Sequence, residues 1–501
     1  MTILDLSNKQ AKDYFFDPQH YFCMELPDYF DFPPVLKAVS KALKASPLKK
    51  ADFEAAKEAR DVNYILYSNK DGKYAWRPIQ FIHPVLYVNL VNELTNARHW
   101  AKLMSCFEAY GKLQHIKCAS LPVVREKKES TNAEQILSWW SGFEQESLAR
   151  SFQYQAMFVT DITDCYGSIC THSIARALNG KDGTQSKDRN AKLAASIEEH
   201  IAAMSSGKIT AIPQASVLMH FIAELVLGYI DLQVEEKLAE KGVSDYSILR
   251  YRDDYRIFVN DTELGKCIVN ELAQTLSSLG MRLNSSKTRA TGNIVRDSIK
   301  DDKLAWLALK GNMKELSFEK KLLLIYQHAD HYPNGGSILQ PLVDLHKEFN
   351  KKRIGGPEQI WASAAILTEL AYRNPRCYQV CTAILSQLMN CMKDNQRATL
   401  GELIMEKFKR LPHTGELQVW LQRIMAPNHV DLEYTERLCQ VVNQSVPSLW
   451  NNAWLKGNKV LFSAMKSADI VNRAEIGAIH PVVSQAEINI FIQHANVAYF
   501  S

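Results

Sequence analysis

The segment ILRYRDDYRIFVN, residues 248–260, decides the fold. Apolar residues flank the acidic pair Asp253-Asp254, and this pattern predicts two β-strands joined by a tight turn at the acids. Adjacent carboxylates repel each other, and a divalent cation such as Mg²⁺, which prefers carboxylate oxygen, holds them ionised most easily. An Asp-Asp pair is a weak signal by itself, because Asp301-Asp302 is another. We interpret that second pair as a surface turn.

A third acid strengthens the signal from the first pair. Asp161 ends a short apolar strand predicted in AMFVTDI, residues 156–162. Two-metal phosphoryl transfer uses carboxylates that bridge both ions, one ion activating the attacking hydroxyl and the other supporting the leaving oxygen. Asp161, Asp253 and Asp254 on neighbouring strand ends suffice for such a site. We therefore predict two Mg²⁺ ions as cofactors.

Four segments occur in the order found in reverse transcriptases, and the chain resembles that family over roughly residues 70–290. DITDCYGSI (161–169) resembles the first catalytic motif, AIPQAS (211–216) the family's GIPQGS, YRDD (251–254) its YxDD box, and GMRLNSSKT (280–288) the later motif that contributes a lysine. The resemblance implies an α+β fold with the right-hand fingers and palm core of a reverse transcriptase. It also implies polymerisation of deoxynucleotides.

The resemblance assigns roles to residues outside the acid triad. Lys73 and Arg77 occupy the fingers segment that grips the incoming triphosphate, and a forked guanidinium suits phosphate oxygens. Tyr166 stands where the family places an aromatic steric gate against a ribose 2'-hydroxyl. Gln214 would lie beside the sugar or base, and Lys287 would donate a proton to the departing pyrophosphate. The alternatives are a packed core aromatic at Tyr166 and a surface carboxylate cap at Arg77.

Two departures from the family pattern affect strand placement. Ala211 and Ala215 replace the two glycines of GIPQGS, and their methyl groups would narrow a close approach of backbone to ligand. Arg252 fills the variable position of the YxDD box, where it would reach a phosphate of template or primer. Ala215 and Arg252 are thus candidate template or primer contacts. The alternative to templated copying is template-independent or homopolymer DNA synthesis.

The C-terminal part of the chain is predicted to be helical. From about residue 300 onward, apolar residues recur at helical spacing between short polar breaks, which indicates antiparallel helix pairs. We predict three regions: fingers and N-terminal region at 1–150, palm at 151–300, and a thumb-like helical-repeat region at 301–501.

A short polymerase core followed by a helical array resembles the bacterial anti-phage defence reverse transcriptases, including the abortive-infection type. The resemblance implies dNTPs as substrates, a structured non-coding RNA as partner, a DNA product and a homo-oligomer as one expected assembly. Some such enzymes start DNA from a protein hydroxyl. Tyr499, near the C-terminus, is one candidate for that priming role.

Composition permits these interpretations without selecting among them. The net charge of +4 is a mild excess that suits a polyanion. The ten cysteines form no zinc-type pairs, and the opening MTILDLSNKQ has no basic-then-apolar leader, so a cytoplasmic location is expected. The longest apolar stretch, Ser216–Leu232, contains His220 and Glu224, so no membrane span is predicted.

One competing interpretation involves no catalysis. The fold could hold a structured RNA as a scaffold while the helical array recruits a partner and the active site is vestigial. The acid triad argues against this, because three clustered carboxylates repel each other without metal.

Overall fold

The computed structural model describes residues 1–71, 73–124, 142–180, 189–313, 315–349 and 356–488. The predicted α+β class with a helical C-terminal region is confirmed. The helices within residues 1–278 are α1 Asn8–Phe15, α2 Pro18–Tyr21, α3 Pro33–Ala45, α4 Lys50–Glu58, α5 Pro84–Leu94, α6 Ala97–Gly111, α7 142–150, α8 Cys165–Ser168, α9 Thr171–Asn179, α10 Arg189–Met204, α11 Val217–Glu240 and α12 Thr262–Ser278.

The remaining helices lie between residues 294 and 488, and the strands lie between residues 64 and 291. The later helices are α13 Ile294–Ser298, α14 Asp301–Lys310, α15 Phe318–His331, α16 Leu339–Phe349, α17 Pro357–Arg373, α18 Tyr378–Asn390, α19 Asp394–Phe408, α20 Gly415–Met425, α21 Arg437–Val442, α22 Lys459–Ser467, α23 Arg473–Ala478 and α24 Gln485–Ile488. The strands are β1 Tyr64–Asn69, β2 Trp76–Phe81, β3 Ile116–Cys118, β4 Ala156–Asp161, β5 Tyr246–Tyr251, β6 Asp254–Val259 and β7 Arg289–Thr291.

The central sheet has five strands in the order β3-β5-β6-β4-β7. β3 is parallel to β5, and the other neighbours are antiparallel. One face packs against α11, because Arg250 and Tyr255 point towards it and bond to its buried acids. Since side chains alternate along a strand, Asp254 points to the opposite face. The acid pair therefore faces away from α11.

Helix α11 is the core helix of the larger hydrophobic cluster. It is long and apolar enough to cross a membrane by length and composition, but most of its surface is buried inside the protein. Apolar side chains occur on all of its faces, as expected of a helix surrounded by protein. Glu224 and Asp231 are buried acids within it. These two acids pair with the sheet.

A separate antiparallel hairpin, β1–β2, stands in the N-terminal region. Its turn is closed by the Lys70 N–H donating to the Ala75 carbonyl at 2.8 Å. Residues of the C-terminal part hold this hairpin: the Ser68 hydroxyl donates to Glu416 at 2.9 Å, and the Trp450 indole N–H donates to the Phe81 carbonyl at 3.0 Å. The hairpin is thus fixed by residues far along the chain.

Two hydrophobic clusters account for most of the core of the described residues. The second consists of residues between 322 and 488 only, which matches a helical array. The first joins the sheet and α11 to C-terminal residues between 419 and 471. The chain therefore returns to the N-terminal core after the helical array. The boundaries at residues 150 and 300 remain predictions.

Candidate active site

Strand register places the predicted acids together. Asp161, the last residue of β4, is the direct partner of Asp254, the first residue of β6. Directly opposed residues in an antiparallel pair have Cα atoms roughly 4.5–5.5 Å apart and side chains on the same face. The Ile162 N–H also donates to the Asp253 carbonyl at 3.1 Å. All three acids therefore converge at one end of the sheet.

Burial and mutual repulsion perturb the acid pair. Burial raises the pKa of the Asp253 carboxyl above its ordinary value. Burial, together with the nearby charge of Asp253, raises the pKa of Asp254 to about 6. Lys287 offsets part of this charge, since its ammonium group donates to Asp161 Oδ2, and this bond raises the pKa of Lys287. The acids are held where a cation would stabilise their ionised form.

The donor set fits magnesium. Asp161 Oδ1 is buried without a hydrogen-bond partner, which leaves one carboxylate oxygen open to a ligand. Across the described ranges, no group of three or more His, Cys, Asp or Glu side chains forms a ready metal cage. Water and substrate phosphate would therefore have to complete the coordination of Mg²⁺ at these acids.

The turn between β5 and β6 contains Arg252 and Asp253. Arg252 has φ of 54°, whereas Asp253 is outside the positive region. A positive φ at the first central position alone is typical of a type II' hairpin turn, which prefers glycine there. Holding a non-glycine residue in such a conformation costs about 1–3 kcal/mol and requires support from the surroundings.

That support comes from beneath the sheet. The Arg252 N–H donates to Ser120 Oγ at 2.8 Å, and Arg250 Nη1 donates to the Arg252 carbonyl at 3.2 Å. Ser120 donates in turn to Glu224 at 2.6 Å, and Arg250 bonds to Glu224 at 2.8 Å and to Asp231 at 2.6 Å. Arg250 is only 1% exposed. We call Ser120, Glu224, Asp231 and Arg250 the turn clamp.

Cations surround the acids from three parts of the chain. Burial and the nearby Arg376 charge lower the pKa of Arg77, and Asp253 opposes this effect. Burial and Arg77 lower the pKa of Lys70, which also interacts with Lys287 and Asp161. Such a concentration of positive charge around three carboxylates suits a polyphosphate.

Two hairpin residues, Lys73 and Arg77, are predicted from the sequence to bind the triphosphate. Lys70, Lys73 and Arg77 are all exposed to solvent, and Lys70 and Arg77 interact electrostatically with the acids. Lys300, which precedes α14, also interacts with Asp254, and burial lowers its pKa. Sequence motifs missed Lys70, Lys300 and Arg376.

Tyr166 lies beside this cluster on α8. It interacts electrostatically with Arg77, Arg252 and Asp253, and its hydroxyl lies 2.6 Å from His220 Nδ1. Burial raises the pKa of Tyr166 well above its ordinary value, so the phenol keeps its proton. The ring is partly buried rather than sealed in the core.

The 211–216 segment connects Tyr166 to the hairpin. The Ile212 N–H donates to the Tyr166 carbonyl at 2.9 Å, and the Gln214 carbonyl accepts from the Gln80 N–H on β2 at 3.1 Å. Ala211 and Ala215 have φ of 70° and 83°. The alanines that replace the family's glycines therefore keep the left-handed conformation that glycine adopts without cost.

Two further site residues are predicted from the sequence, Arg252 as a template or primer contact and Tyr499 as a priming residue. The Arg252 guanidinium lies 5.9 Å from the centre of the Tyr251 ring and interacts electrostatically with Tyr166 and Glu224. Its proposed contact with template or primer remains a prediction. Tyr499 lies outside the described residues.

The turn clamp was also missed from the sequence, although two signals were present. Arg250 stands in the quoted strand pattern at a position that points inward, and Glu224 interrupts an apolar helix. Arginine and glutamate are almost never fully buried unless they are paired. The occurrence of both residues in buried elements indicated an internal ion pair, but only the packing of α11 on β5 identifies the partners.

No protein-family model matches the chain, and no curated protein matches its sequence. Among solved structures, the chain is similar to telomerase from Candida albicans in complex with a fragment of telomeric RNA, at 13% identity and a TM-score of 0.30, over 77% of this chain and 67% of that one. It is similar to apo telomerase from Candida tropicalis at 11% identity and a TM-score of 0.31, over 77% and 72%.

A third similar structure is the BmCPV RNA-dependent RNA polymerase at its elongation state, at 11% identity and a TM-score of 0.35. This chain is covered over 95% of its length but spans only 50% of that polymerase. At these scores the similarities are too distant to assign a function.

Proposed function

We propose that the chain is a nucleic-acid polymerase that adds deoxynucleotides by two-metal phosphoryl transfer, acting as an RNA-directed DNA polymerase. The observation that carries the proposal is the register of β4 and β6, which sets Asp161 opposite Asp254 with Asp253 beside them. The cations around this group supply the second half of a site for a nucleoside triphosphate.

Asp161, Asp253 and Asp254 would hold two Mg²⁺ ions. When bound, the ions activate the attacking hydroxyl and stabilise the leaving oxygen. Lys287 has a raised pKa and is therefore protonated at neutral pH, so its ammonium group can donate a proton to the departing pyrophosphate. Its contact with Asp161 keeps that proton beside the reacting centre.

The remaining residues bind and select the nucleotide. Arg77 and Lys70 attract the triphosphate, with Lys73 at the exposed turn meeting its outer end. Gln214 lies beside the sugar or base, with its backbone fixed to β2. Tyr166 excludes a ribose 2'-hydroxyl by steric contact. Each of these roles is chemically suited to the position of the side chain.

An alternative is template-independent or homopolymer synthesis, which the methyl groups of Ala211 and Ala215 favour. Both residues keep a glycine-like backbone, so their methyl groups project where glycine would leave space. Template placement by Ala215 and Arg252 is therefore the part of the proposal most sensitive to this segment. Protein priming from Tyr499 belongs to the same alternative, and peptide mapping of nucleotide-labelled protein tests it.

The direct test is DNA synthesis by the full chain with Mg²⁺. Poly(rA) primed by oligo(dT), a mixed-sequence RNA template and no added nucleic acid are compared, with each dNTP omitted in turn and products sequenced. Complementary products support RNA-directed synthesis, whereas template-free products support the alternative. Absence of incorporation under every condition overturns the proposed activity.

We further propose that the enzyme acts in bacterial phage defence in the cytoplasm, with a structured non-coding RNA and as a homo-oligomer. Sequencing of copurified RNA and DNA, with measurement of the molecular mass in solution, tests the partners. Plaque counts with and without Asp253→Ala/Asp254→Ala test the defence role. If this variant loses synthesis but retains both RNA and protection, the chain is instead an RNA-binding scaffold.

A further inference from the structure

The Tyr166 ring needs an anchor if it is to select nucleotides. Tyr166 lies on α8, a single turn of four residues that follows Asp164, whose φ is 45°. A helix this short has little stability of its own. Its backbone is tied through the Tyr166 carbonyl to Ile212, but this bond leaves the side chain free to change rotamer.

The anchor is on α11. His220 lies in the first turn of this 24-residue helix, which begins at the N-cap Ser216, whose hydroxyl accepts from the Met219 N–H. The Tyr166 hydroxyl lies 2.6 Å from His220 Nδ1, and the two rings meet edge to face with centroids 5.6 Å apart. The far end of the phenol is thus attached to a long helix that is buried over most of its length.

The chemistry of the neighbours defines the direction of this bond. Burial and the positive charge of Arg252 hold the pKa of His220 well below its ordinary value, so the imidazole is neutral and one nitrogen is a free acceptor. The buried phenol keeps its proton and donates. The charged groups that interact with Tyr166 from the turn and from α11 are Arg252, Asp253 and Glu224.

We propose that His220 is a specificity-determining residue, which accepts the Tyr166 hydroxyl bond and thereby holds the ring where it excludes a ribose 2'-hydroxyl. This proposal rests on the proposed polymerase function and adds to it the device that positions the selecting ring. Discrimination comes from the ring, and the hydroxyl serves as its tether. The hydroxyl is consequently engaged with His220 rather than offered to the sugar.

The test compares dTTP with ribothymidine triphosphate, which differ only in the 2'-hydroxyl, on poly(rA) primed by oligo(dT) with the full chain. The measured quantity is the ratio of kcat/KM for the two nucleotides. Tyr166→Phe keeps the ring without its tether, and His220→Phe keeps the volume without the acceptor. We expect each to lower the ratio about 3- to 10-fold, the effect of one net hydrogen bond, because the ribonucleotide is accepted more readily.

Two further variants separate tethering from general damage. The double variant should lower the ratio no further than either single change, because both remove the same bond. His220→Gln, which restores an acceptor, should recover part of the ratio. His200→Phe is the matched control, because His200 is likewise a histidine on a helix but bonds Asn89 instead. It should leave the ratio unchanged.

The outcomes distinguish this inference from the proposed function. A wild-type chain that prefers dTTP, with both single variants at the wild-type ratio, overturns the role of His220 and leaves the polymerase intact. Additive losses in the double variant also overturn it, because they exclude a shared bond. A wild-type chain that incorporates neither nucleotide overturns the polymerase proposal and this inference together.

Discussion

The chain contains two Asp-Asp pairs, and the structure gives them different surroundings. Asp253-Asp254 lies at a strand turn with raised pKa values and Asp161 opposite. Asp301-Asp302 begins α14, where the positive end of the helix dipole stabilises acids. Identical dipeptides therefore carry different chemistry, because the backbone determines whether the carboxylates converge or are separately neutralised.

The second pair also corrects an expectation. The sequence predicts a surface turn there, but the pair forms the first turn of a helix, and Asp302 is buried and accepts from the Ser337 N–H at 3.2 Å. Asp301 pairs with Arg296 at 2.5 Å. The interpretation was wrong because the partners of both acids lie outside the dipeptide and its immediate neighbours.

The largest expected difference is in catalysis. Asp253→Asn/Asp254→Asn should lower nucleotide incorporation by about 10³-fold or more, since it removes charge from the proposed metal ligands. Asp301→Asn/Asp302→Asn should change it less than about threefold, since helix-capping charge contributes little to a distant reaction. Incorporation rates of the folded variants measure both. An equal loss of nucleotide incorporation in the two variants would contradict the different roles of the two Asp-Asp pairs.

The supporting arginines should differ in their contribution to folding. Arg250→Ala leaves Glu224 and Asp231 buried without their cation and should lower the free energy of unfolding by about 3–5 kcal/mol. Arg296→Ala breaks a solvent-exposed pair and should leave the free energy of unfolding nearly unchanged. Denaturant unfolding, monitored by circular dichroism, compares the two. A similar cost for both would show that the turn clamp does not support the fold.

The two Asp-Asp pairs should differ in how pH changes the stabilisation of the protein by Mg²⁺. The Asp254 pKa of about 6 lies above its ordinary value, so the folded protein without metal binds a proton more tightly than the unfolded chain does. This group therefore contributes stability at low pH and loses it as the pH rises through about 6.

Because Mg²⁺ binds the ionised carboxylates, its stabilising effect should be small at about pH 5 and larger at about pH 8. Thermal unfolding with and without Mg²⁺ measures this. Asp253→Asn/Asp254→Asn should abolish the metal-dependent shift, and Asp301→Asn/Asp302→Asn should retain it. A shift that is independent of pH, or that survives in the first variant, places the metal elsewhere.

The smallest expected effect is on the free energy of unfolding, from backbone strain in the 211–216 segment that contacts Tyr166. Ala211→Gly should relieve the backbone strain at this residue, whose φ is 70°. Glycine also adds entropy to the unfolded chain, so the net result should be a rise of up to about 1 kcal/mol in the free energy of unfolding. The matched control is Ala305→Gly in α14, next to the second pair, which should destabilise by about 0.5–1 kcal/mol. The same sign for both changes would contradict the strain.

Much of the site could be predicted from the sequence, because its signals are local. The strand pattern around Asp253 and the strand that ends at Asp161 identified elements whose ends meet in the sheet. The helical spacing after residue 300 identified the C-terminal array. Lys287 was found because it lies within a motif, and the structure brings its ammonium group to Asp161.

By itself, the amino-acid sequence determined the strands, the helical C-terminal part and the three acids, since periodicity and turn chemistry act over a few neighbouring residues. Only the tertiary structure decided which inward-facing polar groups meet: Arg250 with Glu224, and Tyr166 with His220. These partners are brought together by packing, and a charge or hydroxyl that is buried must find its partner in space, wherever that partner lies along the chain.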